Sequence, residues 1–297
     1  MVAKIGVIAD SALDLPAGMA KKKNIHLIPC SVFINEIPKL HGVDIVNQEV
    51  VEHLLQKDDV RTAAPTPLAY SKVYRKISKD YDMIYSMHVG SDLSKCYANA
   101  SHAVRLLKDK KEAEQKGLFY KNNIKLIDTK ASSIGQGQIV NRIATILMNK
   151  AYNEAKFDRY IEWLINRVSV YFVVDDLYWL KKSGKLNFLS SFLGKLLDVK
   201  PLLKLEKGKL VPVSKHKGKD TAIDSMIKTI KETTPKYKRG VDIWVAHSDA
   251  MLDARYMKRE LARSFNMDKK KIPIVEIGPT ITAHAGPGVV SVSVLPR

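Results

Sequence analysis

The strongest constraint on this chain is an alternation. In its first half, short apolar runs closed by polar residues take turns with longer segments whose apolar positions recur every three to four residues. A short continuous apolar run suits a strand buried on both faces, and the periodic segments suit helices that cover it. Residues 4–9 (KIGVIA) read as a first strand, 25–34 as a second with Pro29 marking an edge or bend, 82–89 as a third and 124–127 as a fourth. Helices are expected over 46–57, where Val46, Val50, Leu54 and Leu55 share a face, and over 67–79 behind Pro67. Two more are expected over 94 to about 116 and over 135–152. This order predicts an α/β unit with a mainly parallel sheet.

The second half has a different rhythm. The run 151–157 (AYNEAKF) is a plausible join, which divides the chain into residues 1–156, an N-terminal α/β domain, and 157–297, a C-terminal α+β domain with a mixed sheet. Helices are expected at 158–166, 176–182, 188–197, 219–232 and 253–265, and strands at 168–174, 241–246, 272–277 and 289–295. Residues 202–213 read as a hairpin turning at Glu206-Lys207-Gly208-Lys209. No internal repeat or low-complexity tract is visible.

Composition bounds the function. Two cysteines, Cys30 and Cys96, make no disulfide framework, and the opening MVAKIGVIADSALDLP lacks the form of a signal peptide, so a cytoplasmic protein is expected. The 49 Lys and Arg against 31 Asp and Glu leave a net charge of +18, which alone would suggest a nucleic acid or an anionic surface. The lysines lie in scattered short runs and outnumber the arginines, whereas base readout favours arginine. Solvated helix faces, or a docking surface for an acidic partner, explain the charge better than specific nucleic-acid binding.

Motif chemistry narrows the choice further. No phosphate-binding glycine loop follows a strand; Gly135-Gln136-Gly137 opens a helix and reads as close packing or as an anion-binding helix start. His and Cys show no metal-ligand spacing, so no metal site is expected. Ser91, Ser94 and Cys96 sit at a strand-to-helix junction without the G-x-S-x-G of a nucleophile elbow. Ser94 reads as a helix N-cap or as a hydroxyl donor to a ligand. His284, read as lying between a strand and the turn Gly286-Pro287-Gly288, is an ordinary buried histidine or a ligand contact.

The polar clusters, taken in order, resemble a known family. Residues 8–16 (IADSALDLP) are similar to the DSxxDLP opening of the DegV family of bacterial fatty-acid-binding proteins. Residues 61–67 (RTAAPTP) resemble its TSQPS loop, and 91–97 (SDLSKCY) its SxLSGTY segment. Ile127-Asp128-Thr129 with Ser133, Gly135 and Gly137 resembles ID[ST]…SxGxG, and 177–186 (LYWLKKSGKL) resembles LxxLxxGGRI. Residues 200–203 (KPLL) and 215–218 (KHKG) are similar to KPIL and KxRG, and Gly278-Pro279 with 284–288 (HAGPG) matches GPxxxxHxGPG.

The resemblance implies a two-domain fold that holds one long-chain fatty acid between an N-terminal three-layer domain built on a parallel sheet and a C-terminal domain with a mixed sheet. It implies a carrier rather than an enzyme, with no cofactor. The bound acid is presented to an ATP-dependent fatty acid kinase, whose acyl phosphate feeds phospholipid synthesis. Thr62, Ser94 and His284 then hold the carboxylate, and Ser91, Lys95, Lys185 and Lys217 are further head-group or partner contacts. Transient contact with an anionic membrane surface would suit the charge. Lys95 and Cys96 stand where the family has Gly and Thr, Lys185 and Lys217 where it has Arg, and Thr282, Ala283 and Ala285 where it has Gly and two Thr. The alternative is an acyl-ester or phosphate-ester enzyme using Ser94 and His284.

Overall fold

The computed structural model describes residues 4–109, 115, 123–149, 154–184 and 199–297. Strands β1 (Ile5–Asp10), β2 (Ile25–Ile28), β6 (Met83–His88) and β7 (Asn123–Asp128) make a parallel sheet in the order β2-β1-β6-β7. Side chains alternate across it, as the two-residue period of a strand requires. Ile8 and Ile84 face α3 (Pro67–Ile77) and α4 (Cys96–Lys108), meeting Tyr70, Tyr74, Ala100 and Val104. Val7, Ala9, Tyr85 and Met87 face α5 (Ser133–Met148) and α6 (Glu154–Ile165), meeting Ile139, Ile143, Phe157 and Ile161. Two helices on each face make the expected three-layer α/β arrangement, and α6, which follows the join, packs on the first sheet.

The run 25–34 is two strands. The chain leaves the parallel sheet after Ile28, passes Pro29 and Cys30, and starts β3 (Ser31–Ile34) in a separate antiparallel sheet of order β4-β3-β5. Its partners β4 (Ile37–Leu40) and β5 (Val60–Ala63) have no counterpart among the expected strands. β4 is nearly all exposed, and the β3–β4 turn uses Asn35-Glu36, both at positive φ, in place of the Asn-Gly that marks such turns. Helix α2 (Asn47–Leu55) packs Val50 and Leu54 on Val32, Ile34 and Val60 of this sheet.

The C-terminal part carries a mixed six-strand sheet. It is ordered β10-β9-β8-β13-β11-β12 from β8 (Ser169–Val173), β9 (Val199–Glu206), β10 (Lys209–Lys217), β11 (Val241–His247), β12 (Ile274–Glu276) and β13 (Val290–Pro296). Only the β11–β12 pair is parallel. The expected hairpin forms at Lys207-Gly208, both at positive φ, with strands longer than 202–213 suggested. One face is sealed by α8 (Lys219–Thr233) and α9 (Met251–Ser264), whose Ile223, Met226, Met257 and Leu261 meet Val173, Ile243, Val290 and Val292. Residues 110–114 and 116 of the helix expected over 94 to about 116 lie outside the described residues, as do all of that expected over 188–197 and 150–152 of that expected over 135–152.

Helix α5 lies between the two large sheets. Its first eight residues are all buried, which fits a helix covered on every side. A Cβ on Gly135 would fall 2.4 Å from Val170 of the mixed sheet, and one on Gly137 would fall 2.0 Å from the carbonyl oxygen of Asp14. The two glycines therefore let α5 touch both neighbours, which agrees with the packing reading of this motif.

Candidate functional site

Two loops and a short helix converge where the three sheets meet. β5 sets the first group. Thr62 pairs with Val32 and shares a strand face with Val60, the face that packs on Ala283 of α10 (Pro279–Ala285). His284, expected beside a strand, is on this helix. Pro279 occupies its first turn, and Gly286 at φ +82° ends it, against Trp179 of α7 (Leu177–Lys182). Thr62 Oγ1 and His284 Nε2 share a hydrogen bond of 2.8 Å, joining residues far apart in sequence.

The second group comes from the loop after β6. The amides of Leu93 and Ser94 both donate to the carbonyl of Gly90, and Lys95 caps α4. Ser94 Oγ donates to Cys96 Sγ at 3.2 Å and accepts the Cys96 amide at 3.3 Å. Asn99, in the first turn of α4, donates to the carbonyl of Pro65 and so ties this loop to the segment following Thr62. Ile281 stands three residues before His284 on the same side of α10 and packs on the cluster of Ala12, Cys30, Val89 and Cys96.

Between these groups and the mixed sheet is a cavity of about 740 Å³, within the range of roughly 300–1,000 Å³ usual for small-molecule sites. Thr62, Ser91, Ser94, Lys95 and His284 all line it. Val170, Phe172, Leu205, Leu210, Ile277 and Val289 supply apolar wall from the C-terminal part. Ser91 turns its hydroxyl to Asp128 Oδ2 at 2.6 Å and so fastens its own loop. Lys95 is exposed beside the cavity. Lys217 is an exposed residue at the end of β10, outside the lining, and Lys185 is outside the described residues.

Around the cavity are buried polar groups whose partners could not be assigned from the sequence. Asp14 joins the two halves. It accepts the Ser133 hydroxyl at the start of α5 and the Gly278 amide at the start of α10, the latter at 2.8 Å. Burial raises its pKa to about 7, against the lowering effect of these two hydrogen bonds, and the charge of Glu276 adds to the rise. His41 meets Thr280 Oγ1 at 2.7 Å, and burial lowers its pKa to about 4. Asp10 accepts from the Val89 amide at 3.0 Å and from Gln136 at 3.3 Å, and it meets His88 Nδ1 at 3.3 Å. Behind His88 stand Ser86, Tyr74 and Tyr70, burial pushing both tyrosine hydroxyls above their ordinary range. The opening motif carried Asp10 and Asp14 in plain view. What it could not show was that both reach α5 and that Asp14 also reaches the start of α10.

The fold is that of an α/β protein with a ligand-sized cavity between its parallel and mixed sheets, lined by hydroxyls and an imidazole on one side and by aliphatic side chains on the other. The model of the DegV family, described as uncharacterised protein, matches residues 4–297, and the chain belongs to that family. A DegV domain-containing protein of Staphylococcus aureus is 25% identical over 291 residues, covering 98% of each chain. A Thermus thermophilus structure described by the fatty acid binding of a DegV family protein superposes with a TM-score of 0.86 at 23% identity, covering 99% of this chain and 100% of that one. A stearic acid-binding protein from Eubacterium ventriosum gives a TM-score of 0.86 at 20% identity, covering 99% and 98%. The arrangement of parallel and mixed sheets is therefore the one these proteins share. No helix among the described residues is long and apolar enough to cross a membrane.

Proposed function

We propose that this protein is a cytoplasmic carrier that holds one long-chain fatty acid between residues 1–156 and 157–297 and catalyses no reaction of its own. The observation that carries the reading is the cavity itself, whose aliphatic wall faces a hydroxyl–imidazole group. Each methylene moved from water to such a wall is worth about 0.8 kcal/mol, so the tail supplies the affinity. The carboxylate needs donors, because an unpaired charge in a dry site costs several kcal/mol. Thr62 and Ser94 supply hydroxyls. When His284 Nε2 carries the proton and donates to Thr62 Oγ1, the Thr62 hydrogen is left for the ligand. The descriptions of the Thermus and Eubacterium relatives as fatty-acid binders support the same choice.

Presentation of the carboxylate to an ATP-dependent fatty acid kinase, for acyl-phosphate formation and phospholipid synthesis, is the second part of the reading. It is supported by the exposure of Ser91 and Lys95 on the lining, which leaves the head group within reach of a partner. The esterase alternative requires the Ser94 hydroxyl to pass its proton to His284, whereas His284 Nε2 is engaged with Thr62 Oγ1 at 2.8 Å.

The test is ligand retention. Protein purified from a bacterial host is expected to release a long-chain acid into organic solvent, seen by mass spectrometry. Thr62→Val combined with Ser94→Ala is expected to weaken rebinding of palmitate by about ten- to hundredfold, the loss of hydrogen bonds to a charged group, with unchanged circular dichroism. Lipid-free protein that takes up no long-chain acid, or hydrolysis of acyl esters abolished by Ser94→Ala, would overturn the proposal.

A further inference from the structure

Beside the cavity lies a further cluster of ligating groups, reached through Cys30. Asp10 ends β1, Cys30 lies between β2 and β3, and Cys96 opens α4, yet a carboxylate oxygen and the two sulfurs lie within 4.8 Å of one another. All three residues are buried, and Cys30 also lines the cavity. We infer that Asp10, Cys30 and Cys96 form a binding site for a thiophilic divalent cation, with Zn²⁺ the ion their donor set selects. This inference does not depend on the fatty-acid reading.

The donor set argues for the ion. Two thiolates and a carboxylate favour zinc over magnesium or calcium, which take oxygen ligands. Zinc bonds of about 2.3 Å to sulfur and about 2.1 Å to oxygen put tetrahedral ligand atoms roughly 3.5–3.8 Å apart. The three groups therefore need to close by about 1 Å at most, a small side-chain adjustment. On binding, each thiol releases its proton to solvent and the sulfur keeps the electron pair that forms the bond, so no oxidant or reductant is required. Three protein ligands leave a fourth position, as in zinc sites that take a water or a substrate.

The supporting shell is already built. Asp10 is held by the Val89 amide and by Gln136, and it faces His88. The Cys30 amide donates to Ser11 Oγ at 2.9 Å, and its carbonyl accepts the His41 amide at 3.0 Å. Cys96 is fixed through both its amide and its sulfur by Ser94. Outer contacts of this kind orient metal ligands and tune affinity. An ordinary pair of packed thiols needs only apolar neighbours; here the two sulfurs converge on an oriented carboxylate beside a cavity through which an ion can arrive.

The experiment uses the full chain, reduced with a phosphine and stripped with a chelator. One equivalent of Co²⁺ is expected to produce thiolate-to-cobalt charge transfer together with visible tetrahedral bands, both displaced by Zn²⁺. Cys30→Ser and Cys96→Ser are each expected to weaken Zn²⁺ binding by at least about tenfold, since loss of an outer-shell partner alone costs that much. Because a variant can fail to fold, the unmodified protein carries a second readout: bound Zn²⁺ should slow the reaction of both thiols with a chromogenic disulfide reagent relative to the chelator-stripped protein. Free reaction of both thiols in the presence of Zn²⁺, without a charge-transfer band, overturns the inference. So does a band that survives in the folded double serine variant.

Discussion

Asp14 and His41 meet at one junction but titrate in opposite senses. A Cβ built on Gly278 would come within 2.6 Å of the His41 ring and 3.1 Å of Asp14 Oδ1. Asp14, raised from 3.8 to about 7 by burial, stays protonated in the fold while the unfolded chain has already ionised. Its contribution to stability is therefore lost as pH rises from 3.8 to about 7. His41, lowered from 6.5 to about 4, stays neutral in the fold while the unfolded chain protonates. Its contribution is lost as pH falls through that window. Each slope is about 1.4 kcal/mol per pH unit at most, and between about 4 and 6.5 the two oppose each other. The expected outcome is a shallow profile in the natural protein. Asp14→Asn, whose amide can keep both hydrogen bonds, should leave a stability that climbs with pH, and His41→Gln one that declines. Urea midpoints measured from pH 4 to pH 7.5 decide it, and parallel profiles in all three proteins would refute the pairing. None of this was legible in the sequence, because a residue's burial depends on segments remote from it.

At the level of elements, α5 is the most tightly specified. Gly137→Ala would place a methyl 2.0 Å from the Asp14 carbonyl oxygen, and backbone cannot move aside as a side-chain tip does. Overpacking of this kind is expected to cost about 3 kcal/mol or more, read as a lowered urea midpoint or loss of soluble protein. An unaltered midpoint would show that α5 does not lie this close. The sequence signalled this helix through the helical spacing of Ile139, Val140, Ile143 and Leu147. It signalled β4 and β5 poorly: a four-residue strand with Arg61 and Thr62 has neither an apolar run nor a clean alternation. His284 lies on a helix rather than beside a strand, and Gly278-Pro279 is the helix start that places it there.

Across the whole molecule, the cavity is bounded by loops of the parallel sheet, by β5 and α10 and by the mixed sheet, so a ligand there touches all three. Binding should therefore stabilise the fold as a unit, by about 2.7 kcal/mol when the free acid is a hundredfold above Kd. For a chain of this size that is a rise in Tm of about 4 °C. Affinity should also grow about fourfold for each added methylene until the cavity is full, which calorimetry with saturated acids of increasing length would measure. Equal affinity for short and long acids would mean that the apolar wall is not in use.

The alternation of apolar runs and helical periods was enough to suggest a parallel α/β unit followed by a mixed sheet, because burial on both faces leaves a local imprint on central strands such as β1 and β6. The ordered polar motifs were enough to suggest the family. What the linear chain could not hold was the meeting of Thr62 with His284, of Asp14 with Gly278, and of Asp10 with Cys30 and Cys96. Those contacts join segments that pair only after the sheets have stacked. Their partners, burial and charge are therefore properties of the packed molecule rather than of any stretch of sequence.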